Sequence, residues 1–142
     1  MKQRQSSRSR RGRMKIIAVA YLLLLTYALL TPRPLWAFGK TGDAAEESVD
    51  MTFPGFSQHA AAYAILACLL LAAFGTSSRR AQLGCVLSAA LHGSLMEGLQ
   101  YFVPLRYCDL PDAVANLVGV GIGWLIAVVS WAVIRRRNSP SR

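Results

Sequence analysis

Long apolar runs separated by short polar breaks make up most of this chain. Four runs stand out, at residues 14–31, 59–75, 81–103 and 112–134. Crossing a hydrocarbon core of about 30 Å takes roughly 20 apolar residues in a helix, with a working range near 17–25. The third and fourth runs meet that length easily, and the first two are short but sufficient. The pattern predicts an all-α integral membrane protein: four transmembrane helices in an antiparallel bundle, spanning residues 14–134 as one membrane domain. Residues 1–13 read as a disordered basic arm and residues 135–142 as a basic tail, both on the cytoplasmic side.

The breaks set the topology. The connections at 76–80 and 104–111 are short, so helices 2, 3 and 4 are expected to be antiparallel neighbours packed together. The longest break, 32–58, begins with Pro32 and Pro34, which end helix 1 by interrupting its hydrogen-bond ladder. Trp36 suits the membrane interface, residues 42–50 are small and acidic, and Phe53-Pro54-Gly55-Phe56 reads as a turn. Helix 1 is expected to be an uncleaved anchor, because Leu35-Trp36-Ala37 is a poor match to the small-x-small pattern of a signal-peptidase site.

Charge adds an orientation. The chain has 142 residues, is 54% hydrophobic and still carries a net charge of +9. These figures are compatible only if the charges are segregated. Of the 16 Lys and Arg, 13 lie before helix 1, between helices 2 and 3, or after helix 4. Arg33, Lys40 and Arg106 are the remainder. Basic residues flanking membrane helices stay in the cytoplasm, so both termini are predicted inside a multi-pass protein of the cytoplasmic membrane. The basic termini favour anionic lipid headgroups, and this reading is preferred to nucleic-acid binding for the N-terminal run.

Polar residues in the apolar runs point to a site. An ionisable side chain at membrane depth is costly and usually faces a protein interior or a cavity. His59 and Tyr63 share a face of helix 2 at i, i+4, Glu97 and Gln100 share a face of helix 3, and Asp112 and Asn116 share a face of helix 4. Glu97 sits seven residues before Pro104, about 10 Å along a helix. With Arg106 and Asp109 in the outer connection, eight polar residues belong to the outer half: His59, Tyr63, Glu97, Gln100, Arg106, Asp109, Asp112 and Asn116. The inner half has no comparable set. Gly119-x-x-x-Gly123 offers a close-packing face in line with Asn116, and Ser94-x-x-x-Gly98 is a similar small surface on helix 3.

No nucleophile elbow, phosphate loop or HExxH motif is present. His59, His92, Glu97 and Asp109 are residue types that bind metals, but their spacing matches no ligand pattern, so no metal or cofactor is assigned. His92 reads as a helix-packing residue. Cys68 and Cys85 fall inside helices and behave as small apolar residues, while Cys108 lies in the outer connection.

The run E-x-x-Q-x-x-x-P-x-R-x-x-D-x-x-D-x-x-x-N-x-x-G-x-x-x-G, from Glu97 to Gly123, resembles the signature of VanZ-like membrane proteins. His59 and Tyr63 are similar to that family's H-x-x-x-Y pattern. One departure stands out: Gly55 and Phe56 occupy positions where the family often has Asp-Lys. The resemblance implies a four-helix membrane fold and a cell-envelope role, connected through the family's namesake with resistance to teicoplanin-type glycopeptides.

The leading expectation is a noncatalytic envelope protein whose polar cluster binds a glycan or lipid-linked component. In it, Glu97 and Asn116 exchange hydrogen bonds with the ligand, and Arg106, oriented by Asp109 and Asp112, offers a positive charge. The alternative is a membrane-embedded enzyme acting on a lipid headgroup, with Glu97 and His59 as acid and base. A small transporter is disfavoured by the apolar inner half, and the glycine faces are compatible with an oligomer.

Overall fold

The computed structural model describes residues 2–31, 54–74, 78–104 and 108–137. Within them the chain is all-helical: α1 (Lys2–Leu30), α2 (Pro54–Phe74), α3 (Arg79–Gln100) and α4 (Leu110–Arg137). Arg106, the acidic stretch at 42–50 and most of the long break at 32–58 lie outside the described residues.

Three of the helices are long and apolar enough to cross a membrane: α1 over Ser9–Leu30, α2 over Gly55–Phe74 and α4 over Leu110–Arg137. Helix α3 has comparable length, 22 residues, but Arg79, Arg80, Gln82, His92, Glu97 and Gln100 lower its hydropathy.

Several helix ends differ from the expectation. Helix α1 begins at Lys2 rather than Met14, so residues 2–13, read above as disordered, continue the helix. Arg, Lys, Gln and Met are good helix formers, and extending an existing helix avoids the costly nucleation step. Pro54, Gly55 and Phe56 form the first turn of α2 instead of a free-standing turn. Proline is well suited to that position, where its missing N–H would have had no partner. Ser78 caps α3, its hydroxyl accepting the Ala81 N–H at 3.2 Å. At the start of α4 the carbonyl of Asp109 accepts the Ala113 N–H, and the helix runs on through Arg135–Arg137 at its negative dipole end.

Helix α2 is central. It packs on α1, α3 and α4, and α3 also touches α1 and α4, whereas α1 and α4 do not meet. The α2–α4 pair is the tightest because both helices present small residues. A Cβ on Gly119 would lie 2.9 Å from the Ala60 carbonyl carbon, and one on Gly123 would lie 2.8 Å from the Ala67 Cβ. The expected glycine face is real, and its partner is α2. Ser94 is exposed and Gly98 has nothing near its Cβ position, so the small surface on α3 is not part of this packing.

The core is a narrow seam of Leu25, Leu29, Tyr63, Leu66, Ala67, Ala89, Met96 and Val120. Large apolar side chains elsewhere point outward. On α3, Leu83, Leu87, Leu91, Leu95 and Leu99 form an exposed row at four-residue spacing. In water such a face would be a liability. In lipid it is the natural exterior.

Candidate functional site

The polar residues of the apolar helices sort into two layers. The first joins α2, α3 and α4 near the start of α2 and the start of α4. His59 Nδ1 lies 3.0 Å from Asn116 Oδ1. Asn116 Nδ2 faces two acceptors, the Gly93 carbonyl and Glu97 Oε1, each at 3.5 Å. That fixes the amide orientation: its oxygen must point at His59, and His59 Nδ1 must carry the hydrogen, since an amide oxygen only accepts. Glu97 Oε1 is also 3.5 Å from His59 Nδ1, and Asp112 Oδ2 is 3.7 Å from His59 Nε2.

Burial grades the layer from floor to rim. Asn116 and Glu97 are 1% and 3% exposed, whereas the side chains of His59 and Asp112 are 13% and 25% exposed. Glu97 Oε2 is fully buried and accepts no well-formed hydrogen bond from the described residues; the Asp109 backbone N–H is the nearby main-chain donor to this carboxylate. An unsatisfied buried carboxylate oxygen is rare and calls for a physical reason.

Glycine makes the close approach feasible. A Cβ on Gly93 would lie 3.0 Å from the Asn116 Cβ and 3.1 Å from a Tyr63 ring carbon, so a bare backbone there lets α3 present its carbonyl to Asn116. Gly55, at the position where the resembled family often has aspartate, sits at the rim, its Cβ position 3.7 Å from Asp112 Oδ1.

The second layer ties α1 to α2 and α3. Thr26 donates its hydroxyl to the Leu22 carbonyl at 2.8 Å, so it receives a hydrogen from His92 Nε2 at 3.0 Å. His92 Nδ1 is then the acceptor for the Tyr63 hydroxyl, also at 3.0 Å. Each group is satisfied in a single chain of donors and acceptors. Tyr21 donates to the Ala62 carbonyl nearby.

Of the eight residues expected to gather, the structure brings four together: His59, Glu97, Asp112 and Asn116. Tyr63 turns to His92 instead of joining His59. Gln100, three residues beyond Glu97, faces α1 and donates to the Leu29 carbonyl at 3.2 Å, because the helix turn that carries Glu97 toward α4 carries Gln100 toward the end of α1. Asp109 is exposed at the start of α4. Arg106 lies outside the described residues. Sequence reasoning missed Thr26 and Gly93. Thr26 left a weak signal, as a lone hydroxyl in a run of leucines.

At the opposite end, a groove of about 560 Å³ is lined by Ser78, Arg79, Gln82, Val128, Trp131, Ala132 and Arg135. It is basic and aromatic, unlike the acidic His59 layer. Cys108 is exposed, while Cys85 is buried and Cys68 half-buried.

A helical protein with membrane-length apolar helices and a buried His–Asn–Glu layer is thus the class that fold and site define. The model of the VanZ/LLP1 family matches residues 16–133, nearly the whole of that bundle, and the chain belongs to this family. No curated protein and no solved structure is significantly similar to it.

Proposed function

We propose that this VanZ/LLP1 protein is a noncatalytic component of the cell envelope that binds a polar envelope ligand at the His59–Glu97–Asp112–Asn116 layer and thereby changes susceptibility to teicoplanin-type glycopeptides. The observation that carries this reading is the layer itself. An apolar bundle gains nothing from burying a carboxyl group with one oxygen poorly satisfied by the described residues, since an unmet buried polar group costs about 1–3 kcal/mol. The graded exposure supports ligand entry from the rim, past His59 and Asp112, toward Glu97 and Asn116. A hydroxyl- or amine-rich group, such as the glycan or headgroup of a lipid-linked precursor, matches these acceptors.

In this reading all four helices cross the cytoplasmic membrane. Helix α3 hides its polar residues against α1, α2 and α4 and shows lipid its leucine row. The positive-inside bias places both termini in the cytoplasm and the His59 layer at the outer face. The basic groove by Arg79, Trp131 and Arg135 then meets anionic headgroups of the inner leaflet.

The test is glycopeptide susceptibility in a sensitive host expressing wild type, Glu97→Gln or Arg106→Ala at matched membrane levels. Protection by wild type that is lost in both variants supports the proposal. Equal susceptibility in all strains contradicts it.

A second reading, an acid/base enzyme acting on a lipid headgroup, is favoured by the closeness of Glu97 to His59. It is weakened because Asn116 Oδ1, at 3.0 Å, already takes the His59 Nδ1 hydrogen. Turnover of a headgroup substrate that Glu97→Gln abolishes would favour it over simple binding.

A further inference from the structure

Three side chains of the His59 layer, Glu97 buried and His59 and Asp112 partly exposed, offer metal-binding atoms close together. One ligand atom from each of His59, Glu97 and Asp112 lies within 4.8 Å of the other two. Three details of the geometry favour an ion over a plain hydrogen-bond network.

The first is the His59 ring. Its Nδ1 is committed to Asn116 Oδ1 at 3.0 Å, which leaves Nε2 as the ring nitrogen available to a ligand. A ligating histidine characteristically donates its other ring N–H to an oxygen acceptor, which fixes tautomer and orientation. Asn116 performs that service here.

The second is a distance. Asp112 Oδ2 is 3.7 Å from His59 Nε2, too long for a hydrogen bond. Two donors each about 2.0–2.2 Å from a shared tetrahedral ion stand roughly 3.3–3.6 Å apart, so this gap suits an ion between them with little movement.

The third is Glu97 Oε2. It belongs to a side chain only 3% exposed and accepts no well-formed hydrogen bond from the described residues, with the Asp109 backbone N–H the nearby main-chain donor to the carboxylate. The two carboxyl groups and the imidazole all offer lone pairs to one point between the helices. A divalent cation would stabilise both carboxyl groups in their ionised form and give Glu97 Oε2 a direct partner.

We infer that His59, through Nε2, Asp112, through Oδ2, and one carboxylate oxygen of Glu97 form a binding site for a divalent transition-metal ion, with Asn116 orienting the histidine. One nitrogen and two carboxylate oxygens suit Zn²⁺ or Mn²⁺ better than Ca²⁺ or Mg²⁺, which favour all-oxygen shells, or Cu⁺, which favours sulfur. Three protein ligands leave a coordination position open toward the rim. This inference goes beyond the envelope-ligand reading, and its test involves no envelope component, so either can fail without the other.

The experiment is calorimetric titration of the full chain, purified in detergent with a histidine-free tag and stripped by chelator, using Zn²⁺ alone and Mn²⁺ alone. Wild type and Cys108→Ser are expected to bind one equivalent of at least one of them. Asn116→Leu is expected to weaken binding by about 10–100-fold, and Glu97→Gln and Asp112→Asn by more. Asp112 stands at the partly exposed rim, so Asp112→Asn keeps the test decisive even where changes at the buried floor impair folding. Substituting Co²⁺ should give a visible absorption band in wild type that Asp112→Asn alters. No stoichiometric binding to folded wild type would overturn the inference. So would binding that persists unchanged in Glu97→Gln and Asp112→Asn, or that disappears in Cys108→Ser.

Discussion

Replacing Gly119 by alanine tests whether the α2–α4 contact holds the site together. A Cβ there would stand 2.9 Å from the carbonyl carbon of Ala60, 3.0 Å from its Cα and closer still to its carbonyl oxygen. Carbon atoms pack best at about 3.5–4.0 Å, so the helices must separate by roughly 0.6–1 Å. The obstacle is backbone, so no side-chain rotation relieves it. A radial gap of that size forfeits a quarter to a half of the dispersion well of nearby atoms. Overpacking costs about 1–3 kcal/mol, and the rigid neighbour points to the upper end. Alanine returns about 1 kcal/mol through helix propensity, which leaves a net loss of about 2 kcal/mol. Gly121 lies two residues away with nothing near its Cβ position, so Gly121→Ala keeps only the gain. Unfolding in mixed micelles with increasing denaturing detergent, followed by tryptophan fluorescence, should therefore separate the two variants by about 3 kcal/mol. Gly119 is also one turn beyond Asn116, so the same displacement stretches the 3.0 Å His59–Asn116 contact past hydrogen-bonding range. Equal stability of Gly119→Ala and Gly121→Ala would refute this packing.

Other outcomes follow from the polar layers. Asn116→Leu removes the partner of His59 Nδ1 and one donor to Glu97, and thermal unfolding should show a loss of about 1–3 kcal/mol per buried group left unpaired. Tyr63→Phe deletes the hydrogen bond to His92 at a cost of about 1 kcal/mol while leaving glycopeptide susceptibility at the wild-type level, because the ring that packs beside Asn116 is kept and the lost hydroxyl bonds to His92, outside the His59 layer. Cys108 is the exposed cysteine of the three, and in the proposed topology it faces outward. A membrane-impermeant maleimide should label it in intact cells, and labelling only after permeabilisation would reverse the orientation.

Most of the fold was legible because the bilayer imposes a strong constraint. A helix must be long and apolar to cross, and α1, α2 and α4 announce themselves on those terms. Helix α3 was read from an apolar run that its own polar residues dilute. Its place in the bundle is instead carried by the leucine row on one face and small or polar residues on the other. The ends of the helices were harder to place. Pro54 can open a helix or break one, and the arginines of residues 2–13 are as compatible with helix as with coil, so only the neighbouring structure decides.

The site was legible by face and not by partner. Periodicity placed Glu97 with Gln100 and His59 with Tyr63, since three or four residues share a helical face. A face about 100° wide can touch two different helices, however. Glu97 reaches α4 while Gln100 reaches α1, and His59 meets Asn116 while Tyr63 meets His92. The helix spacing put His59, Glu97 and Asp112 in the same outer half but not in contact, because each comes from a different helix: the α2–α4 contact sets Asp112 and Asn116 against His59, and the close approach at Gly93 brings Glu97 to them. The α2–α4 contact was half-visible: Gly119 and Gly123 marked one side, and the facing alanines of α2 are too common in apolar helices to mark the other.

The most direct measurement is native mass spectrometry of the detergent-purified chain from cells making wild type, Glu97→Gln or Tyr63→Phe. The proposed function predicts that a discrete envelope component with a glycan or polar headgroup stays bound to wild type and Tyr63→Phe and is lost from Glu97→Gln. The same occupancy in all three, or no component beyond bulk phospholipid on wild type, would contradict it.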